Sequence, residues 1–239
     1  MSSSNSTALK IAKKYYFLKP LYFFYNIYIR NFKYLRNGSQ FGEENILINL
    51  FKKNFKGFYL DIGCFHPTKF NNTNKMYNSG WSGINIDLNP LTIELFNFAR
   101  PKDINICAPL SNHSKPKKIY IHHDLSSQNT LSLNHVKWMK KNFGINKLDK
   151  KIVKTQKLKK ILDKYKIKKI DFLNIDIEGH EYEVISSINL KKYKIKVICI
   201  EIIEDNKIQK SNKKRIFSYL KKNGYKKVLK IKENYIFKL

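Results

Sequence analysis

The residues best able to do chemistry are grouped in the run IDFLNIDIEGHE at positions 170–181. Its apolar first half predicts a strand buried on both faces, as in a parallel sheet. Ligands of open α/β sheets bind beyond the carboxyl ends of such strands. We therefore predict that Asp176, Glu178, His180 and Glu181 form the catalytic part of an active site.

His180 is the first candidate for a general base in this run, because the unperturbed pKa of imidazole lies near working pH. Glu178 or Glu181 would orient the ring. The alternative is that these residues only begin and cap a helix, where the helix dipole favours carboxylates. That alternative is weaker for Asp176, since an acid at the end of a buried strand is costly without a partner.

Other histidines compete with His180 for the role of base. His66 follows an upstream strand and is the stronger competitor. His122 and His123 form a pair in a less regular stretch, where a solvated strand end explains them better.

A second strand-and-turn pattern lies upstream, in GFYLDIGCFHP at 57–67 and GINIDLNP at 83–90. Asp87 ends the second strand, 26 residues after Asp61. This order is typical of the nucleotide-binding half of a Rossmann-like sheet, in which the second acid holds ribose hydroxyls. Only Gly63 remains of the glycines that a pyrophosphate needs. The pattern therefore favours a nucleoside ligand without a diphosphate, such as S-adenosylmethionine.

Several segments in a fixed order carry a family resemblance, which covers roughly residues 39–201. They are SQFGEE at 39–44, DIGCFHP at 61–67, NNT at 71–73, YNSGWSGINID at 77–87, RPKDIN at 100–105, DFLNIDIEGHE at 171–181 and CIE at 199–201. The ordered set resembles the FkbM family of S-adenosylmethionine-dependent methyltransferases. The chain departs from the family at Glu44, Cys64 and Asn71, where the family often has Asp, Ala and Ser.

The resemblance implies S-adenosylmethionine as the cofactor and assigns three residues to its two ends. Asp61 and Gly63 would line the methionine end, and Asp87 would take the ribose hydroxyls. The methyl acceptor would be a hydroxyl of a sugar, a glycan or a secondary metabolite.

Four further residues complete the predicted cofactor set. Asp103 and Asn105 would approach the adenine, with a solvated strand start as the alternative. Asn72 and Thr73 would reach the cofactor or the acceptor. Their alternative role is helix capping, which Asn and Thr both perform well.

The primary prediction is a site without a metal. The alternative hypothesis is a divalent metal bound by two acids at strand ends. Asp176 closes one predicted strand and Glu201 lies near the end of the next. Catechol-type O-methyltransferases place magnesium ligands at these two strand ends, and carboxylates suit a hard cation. In the alternative without a metal, one of the two acids would bind the cofactor and the other would form a buried salt bridge.

The predicted fold class is α/β, a class I methyltransferase Rossmann-like sheet, mostly parallel with a C-terminal antiparallel hairpin and helices on both faces. Residues 111–154 would be an insertion with one strand at 119–122, where a substrate lid could lie. Thr155 and Ser211 are predicted helix caps. The predicted strands are 58–62, 83–88, 103–108, 170–176, 196–203, 226–231 and 235–238.

The net charge of +29, from 47 Lys and Arg against 18 Asp and Glu, raises the alternative of a nucleic-acid-binding or RNA-modifying protein. Only four of the cations are Arg, the residue that base and phosphate recognition favours. We therefore interpret most of the charge as codon bias over solvated faces and expect no nucleic-acid partner. Cys64, Cys107 and Cys199 lie in apolar strand-like contexts, which predicts reduced thiols and a cytoplasmic protein.

The two predicted domains are an N-terminal basic aromatic helical extension at 1–36 and a Rossmann-like methyltransferase domain at 37–239. The apolar stretch 15–29 is broken by Lys19, Pro20 and Asn26, so it is short of a spanning helix. We expect one or two helices that pack over the sheet or a partner subunit. Peripheral contact with the inner face of a membrane is the alternative.

Overall fold

The computed structural model describes residues 3–30, 38–124 and 126–239. Its strands are β1 (Phe58–Ile62), β2 (Ser82–Asp87), β3 (Ile104–Cys107), β4 (Pro116–Ile121), β5 (Asp149–Lys154), β6 (Phe172–Ile175), β7 (Val197–Glu201), β8 (Lys226–Ile231) and β9 (Asn234–Lys238). The main sheet has the order β3-β2-β1-β6-β7-β9-β8. The first five strands of that order are parallel, and β9 runs antiparallel to both neighbours. The predicted fold class is therefore confirmed.

Helices cover both faces of the sheet, because its strands alternate buried apolar residues between them. Leu60 and Ile62 point to the face that α7, α8 and α9 cover, whereas Tyr59 points to the face of α3 and α4. The helices are α1 (Ser3–Lys14), α2 (Lys19–Phe24), α3 (Glu43–Asn49), α4 (Asn74–Asn78), α5 (Pro90–Ala99), α6 (Leu133–Phe143), α7 (Leu158–Lys164), α8 (Glu181–Ile185) and α9 (Lys207–Lys222).

The insertion after β3 is more regular than its sequence indicates. It contains β4 and β5, which pair antiparallel as a separate two-stranded sheet, and α6 between them. The Ser132 side chain caps α6 by accepting from the His135 N–H, and Gly144 ends it at φ +64°. The sequence predicts one strand here, at 119–122, and gives no prediction of α6.

Both predicted helix caps are wrong. The hydroxyl of Thr155 bonds the carbonyl oxygens of His113 and Lys115, and α7 begins only at Leu158. The helix assigned to Ser211 begins four residues earlier, where Asn206 and Gln209 form a capping box. Thr155 is thus bonded to the insertion rather than to the helix, and Asn206 takes the capping role predicted for Ser211.

The prediction that all three cysteines lie in apolar surroundings is wrong for Cys107. Cys64 and Cys199 are buried, but Cys107 is exposed. Cys107 closes β3, which is an edge strand with a neighbour on one side only. All three cysteines are free thiols.

The N-terminal helices pack against α5 through one face. Leu9, Ala12, Tyr22, Phe23 and Ile27 form a buried cluster with Leu91 and Leu95 of α5. The predicted domain boundary at 36/37 lies outside the described residues. Among the helices in the described ranges, none combines the length and the apolar character needed to cross a bilayer.

Candidate active site

A cavity of about 660 Å³ opens at the carboxyl ends of the parallel strands. Ile62 of β1, Asp87 of β2 and Glu201 of β7 line it, together with Asp176 directly after β6. Its volume lies within the range of roughly 300–1,000 Å³ that ligand pockets occupy. The carboxyl edge at which the sequence predicts a site therefore carries a cavity of ligand size.

Gly63 allows the turn after β1 to lie directly on the end of β6. Its φ is +79°, and a Cβ built there would lie 1.6 Å from the carbonyl oxygen of Asp176. A side chain at this position would therefore displace the backbone that carries Asp176. Gly63 itself lines the cavity, so the turn offers backbone rather than side chain to a ligand.

Asp87 holds its carboxylate at the cavity wall with help from the backbone. Its oxygens accept from the N–H groups of Phe65 at 3.1 Å and Asn89 at 2.8 Å. Burial raises the pKa of Asp87 to about 6, against the lowering effect of these hydrogen bonds. Lone pairs remain for a ligand, because a carboxylate has about four acceptor positions.

Three carboxylates of the cavity lining lie close to one another. Asp176, Glu178 and Glu201 each place an oxygen within 4.8 Å of the other two. Burial raises the pKa of Asp176 to about 6, and burial with neighbouring carboxylates raises the pKa of Glu178 and Glu201 well above the usual range. Like charges this close hold protons in common or require a cation among them.

The lining of the cavity is acidic, although the chain is strongly basic. It includes eight of the 18 acidic residues, and no Lys or Arg among the described residues. Glu204 and Asp205 form ion pairs with lysines outside the lining, at 2.7 Å and 3.2 Å. The eight are Glu43, Asp87, Asp176, Glu178, Glu201, Glu204, Asp205 and Glu233. Asp176 and Glu201 therefore line a cavity whose charge suits a cationic or neutral ligand.

The insertion holds the loop that follows β6. Glu178 adopts φ +55°, a region that non-glycine residues rarely occupy. Gln128 donates to its Oε1 at 2.7 Å, and the Thr130 hydroxyl donates to its carbonyl at 2.8 Å. The ring of buried His135 lies 3.2 Å from its Oε2. These contacts stabilise a strained backbone beside the carboxylate cluster.

His180 lines the cavity, and Glu181 lies outside the described lining. The Nε2 atom of His180 lies 3.2 Å from the Lys117 ammonium and 3.3 Å from the Ser111 hydroxyl. Burial lowers the pKa of His180 to about 3, so the ring is neutral at pH 7. Glu181 accepts from the Gly179 N–H at 2.7 Å, and burial raises its pKa to about 7.

Asp61 and Thr73 lie in a buried network beside Arg100 rather than in the described cavity lining. Asp61 is fully buried and accepts from the side chains of Asn71, Thr73 and Asn174. The Arg100 guanidinium donates to the Thr73 hydroxyl at 2.9 Å. The roles of Asp61 and Thr73 in binding a cofactor stay predictions.

Three other predicted cofactor residues occupy different settings. Asp103 accepts from the Gly83 N–H and the Asn85 amide, each at 3.0 Å, and Asn105 accepts from Asn85 at 2.8 Å. Neither Asp103 nor Asn105 is in the described lining. Asn72 lines the cavity and donates to the Asn174 side chain at 2.9 Å.

The competing histidines lie away from the carboxylate cluster. His66 is buried, and its Nδ1 accepts from the N–H groups of Thr68 and Lys69. Burial lowers the pKa of His66 to about 3. The rings of His122 and His123 lie 4.7 Å apart in the insertion and are tilted by 51°. None of the three is in the described cavity lining.

Sequence reasoning missed an aromatic part of the cavity. Trp138 and Phe143 of α6 line it, and their rings meet edge to face at 5.1 Å. The Ser132 cap and the glycine at 144 were the available signals for this helix. The cluster of lysines at positions 137–141 instead favoured the interpretation as a solvated face.

Comparison with protein families decides the identity of this domain. Residues 61–227, more than two thirds of the chain, match the family described as Methyltransferase FkbM domain. The chain belongs to the FkbM methyltransferase family. No curated protein matches the chain, and no solved structure does. The FkbM match confirms the resemblance. It covers β2, β3, β6 and β7 in full and the last two residues of β1, and it ends before β9.

Proposed function

We propose that this FkbM methyltransferase transfers a methyl group from S-adenosylmethionine to a hydroxyl of a sugar, a glycan or a secondary metabolite. The observation that carries the proposal is the cavity at the carboxyl edge, whose described lining has eight acidic residues and no Lys or Arg. S-adenosylmethionine supplies an activated methyl group on a positively charged sulfonium. An acidic pocket in a basic protein complements that charge.

Three residues of the cavity lining fit S-adenosylmethionine. Asp87 would hold the ribose hydroxyls with the acceptor positions that Phe65 and Asn89 leave free. The backbone at Gly63 allows close approach, since any side chain there would collide with Asp176. Asn72, half-buried in the lining, offers an amide to the same ligand or to the acceptor.

The carboxylate cluster supports a base for the acceptor hydroxyl. Burial raises the pKa of Asp176 to about 6, close to the value that suits proton transfer at neutral pH. The pKa of His180, lowered to about 3 by burial, makes its ring a weaker proton acceptor. We therefore place the base in the cluster, with Asp176 first, while the role of His180 stays a prediction.

The same charge pattern argues for an acceptor that is neutral at its reacting end. Phosphate or carboxylate groups would be repelled by Asp176, Glu178 and Glu201. Trp138 and Phe143 supply flat apolar surface of the kind that packs against sugar rings. No observation favours the nucleic-acid alternative, because the described lining contains no Lys or Arg.

The metal alternative concerns the same cluster. Asp176 and Glu201 with Glu178 offer oxygen ligands suited to a hard divalent cation. A metal requirement stays the alternative hypothesis. Activity measured after chelation and again with added magnesium decides it: full activity without metal would sink the metal hypothesis.

The first test is calorimetric binding of S-adenosylmethionine to wild type and to Asp87→Ala. Asp149→Ala is the matched control, because Asp149 is an exposed acid outside the cavity lining. We expect micromolar binding that Asp87→Ala weakens at least tenfold and Asp149→Ala leaves unchanged. Labelled-methyl transfer to neutral and to acidic sugars then tests the acceptor. Absence of binding to folded wild type would overturn the proposal.

A further inference from the structure

The N-terminal helices carry an exposed apolar surface that the fold does not cover. We call it the aromatic ridge, defined by Tyr16, Phe17, Leu21, Phe24, Tyr28 and Ile29. Each of these side chains is between 48% and 80% exposed. Nine of the nineteen large apolar side chains exposed in the described residues lie within residues 11–29. Apolar exposure concentrated in one stretch marks an interaction surface rather than ordinary scatter.

The aromatic ridge is fixed to the enzyme by the opposite side of the same segment. Tyr22, Phe23 and Ile27 pack against Leu91 and Leu95 of α5. Two polar contacts add to this packing. The Thr68 hydroxyl donates to the carbonyl of Ile27, and the buried Lys69 ammonium donates to the carbonyl of Asn26, both at 3.2 Å. The segment is therefore anchored through one face and presents the other outward.

The positive charge around the aromatic ridge favours an anionic partner. The first 42 residues contain no Asp or Glu, and exposed Lys10, Lys13 and Lys14 precede the ridge. Lys13 pairs with exposed Asp124 at 2.9 Å, and Lys19 pairs with Glu94. A second copy of this segment would bring like charges together, whereas an anionic surface would attract them. Basic residues with outward aromatics are the pattern of segments that lie in a lipid interface.

We propose that the aromatic ridge docks this protein on an anionic lipid bilayer. The ring and alkyl side chains enter the boundary between headgroups and acyl chains, and the lysines contact lipid phosphates. The anchoring contacts at Thr68 and Lys69 belong to the turn that carries Phe65 and Phe70 to the cavity wall. Docking therefore holds the active-site domain at the lipid surface. The proposal does not depend on the methyl-transfer proposal.

Vesicle sedimentation with the full chain tests it, using phosphatidylcholine vesicles with and without phosphatidylglycerol. The test variant is Phe17→Ser with Leu21→Ser, two side chains that are 74% and 67% exposed. The matched control is Ile152→Ser with Ile208→Ser, whose side chains are also exposed but lie on β5 and α9. We expect binding to the anionic vesicles only, reduced about tenfold or more by the test variant and unchanged by the control.

Equal binding of the test variant and wild type would overturn the proposal, since charge alone would then suffice. So would a dimer in sedimentation velocity that the test variant dissociates, without any vesicle binding by wild type. A Phe17→Trp variant adds a direct measurement of depth. Brominated phosphatidylglycerol should quench its fluorescence. In Ile152→Trp the extent of quenching should not exceed that of the two native tryptophans, Trp81 and Trp138, in wild type.

Discussion

Two groups of carboxylates in this molecule differ in what surrounds them: Asp61 and Asp103 are buried, whereas Asp176 and Glu201 are half-buried beside buried Glu178. Asp61 and Asp103 belong to a network that includes Tyr59, Asn71, Thr73, Asn85 and Arg100, which supplies them with donors. Asp176, Glu178 and Glu201 face a cavity whose described lining contains no Lys or Arg. Donors of the protein reach both acids of the first group, and in the second group Gln128 and His135 contact Glu178. Asp176 and Glu201 line the cavity, where a ligand can reach them. Burial alone therefore does not identify a functional acid.

The position of each acid along its strand explains the difference. Asp61 lies inside β1, where it pairs in register with Asn85 and Asn174 of the neighbouring strands. Asp176 follows the last residue of β6, where the sheet ends and the cavity begins. The comparison predicts loss of stability from changes in the network and loss of function from changes in the cavity.

The largest expected effect is on turnover, from Asp176→Asn. Loss of the proton acceptor should lower the rate of methyl transfer to a neutral sugar acceptor by about 10²–10⁴-fold. The melting temperature should stay equal or rise, because one of three crowded carboxylates becomes neutral. Asp205→Asn, at the ion-paired rim, is the control. A variant that is folded and fully active would exclude Asp176 as the base.

Asp61→Ala should show the opposite behaviour. It removes the acceptor of three buried donors and should lower the free energy of unfolding by about 3 kcal/mol or more. Denaturant unfolding measures this, with exposed Asp149→Ala expected within about 0.5 kcal/mol of wild type. At a temperature where Asp61→Ala stays folded, it should still bind S-adenosylmethionine. A stable Asp61→Ala variant that does not bind S-adenosylmethionine would show that Asp61 takes part in cofactor binding.

The pH profile of the rate separates the two candidate bases. Only the unprotonated carboxylate accepts a proton, so with a pKa of about 6 for Asp176 the rate should rise as pH increases through 6 and then level off. His180, with a pKa of about 3, is already neutral throughout that range. His180→Gln should therefore keep the same inflection. A profile that loses its inflection in His180→Gln would favour the histidine.

A smaller effect is expected at the loop that carries the cluster. Gln128→Ala removes the 2.7 Å bond to Glu178 and should lower the rate of methyl transfer by about tenfold through misplacement of the carboxylate. Ser127→Ala, at the exposed neighbouring position, should have no effect. Rescue by Gln128→Asn is not expected, because the shorter amide falls short of Glu178. Equal rates for Gln128→Ala and wild type would show that the bond is dispensable.

Much of the fold could be predicted from this sequence, because buried parallel strands have a strong apolar pattern. The predicted bounds of β1 and β8 match the structure, and those of the other main-sheet strands differ by one or two residues at one or both ends. The insertion could not be predicted in the same way. Its strand β5 (DKKIVK) is largely exposed and charged, and α6 depends on a Ser132 cap that lacks the usual acidic partner.

The candidate site was predictable in position and only partly in membership. An acid near a strand end gives the same sequence signal whether it lies within the sheet, as Asp61 does, or just beyond it, as Asp176 does. Which donors reach it depends on contacts over more than 100 residues, such as Asn174 with Asp61. The aromatic wall from Trp138 and Phe143 depends on how the insertion folds back, and no local pattern encodes that.

The most direct test of the account is calorimetric titration of S-adenosylmethionine into wild type and into the double variant Asp176→Asn with Glu201→Gln, with thermal melting of both. The account predicts micromolar binding to wild type, weakened about ten- to a hundredfold in the double variant because the acidic lining that complements the sulfonium loses two carboxylates. It also predicts a melting temperature equal to or above that of wild type. Unchanged affinity in the folded double variant would contradict the claim that the cavity carboxylates act on the methyl donor.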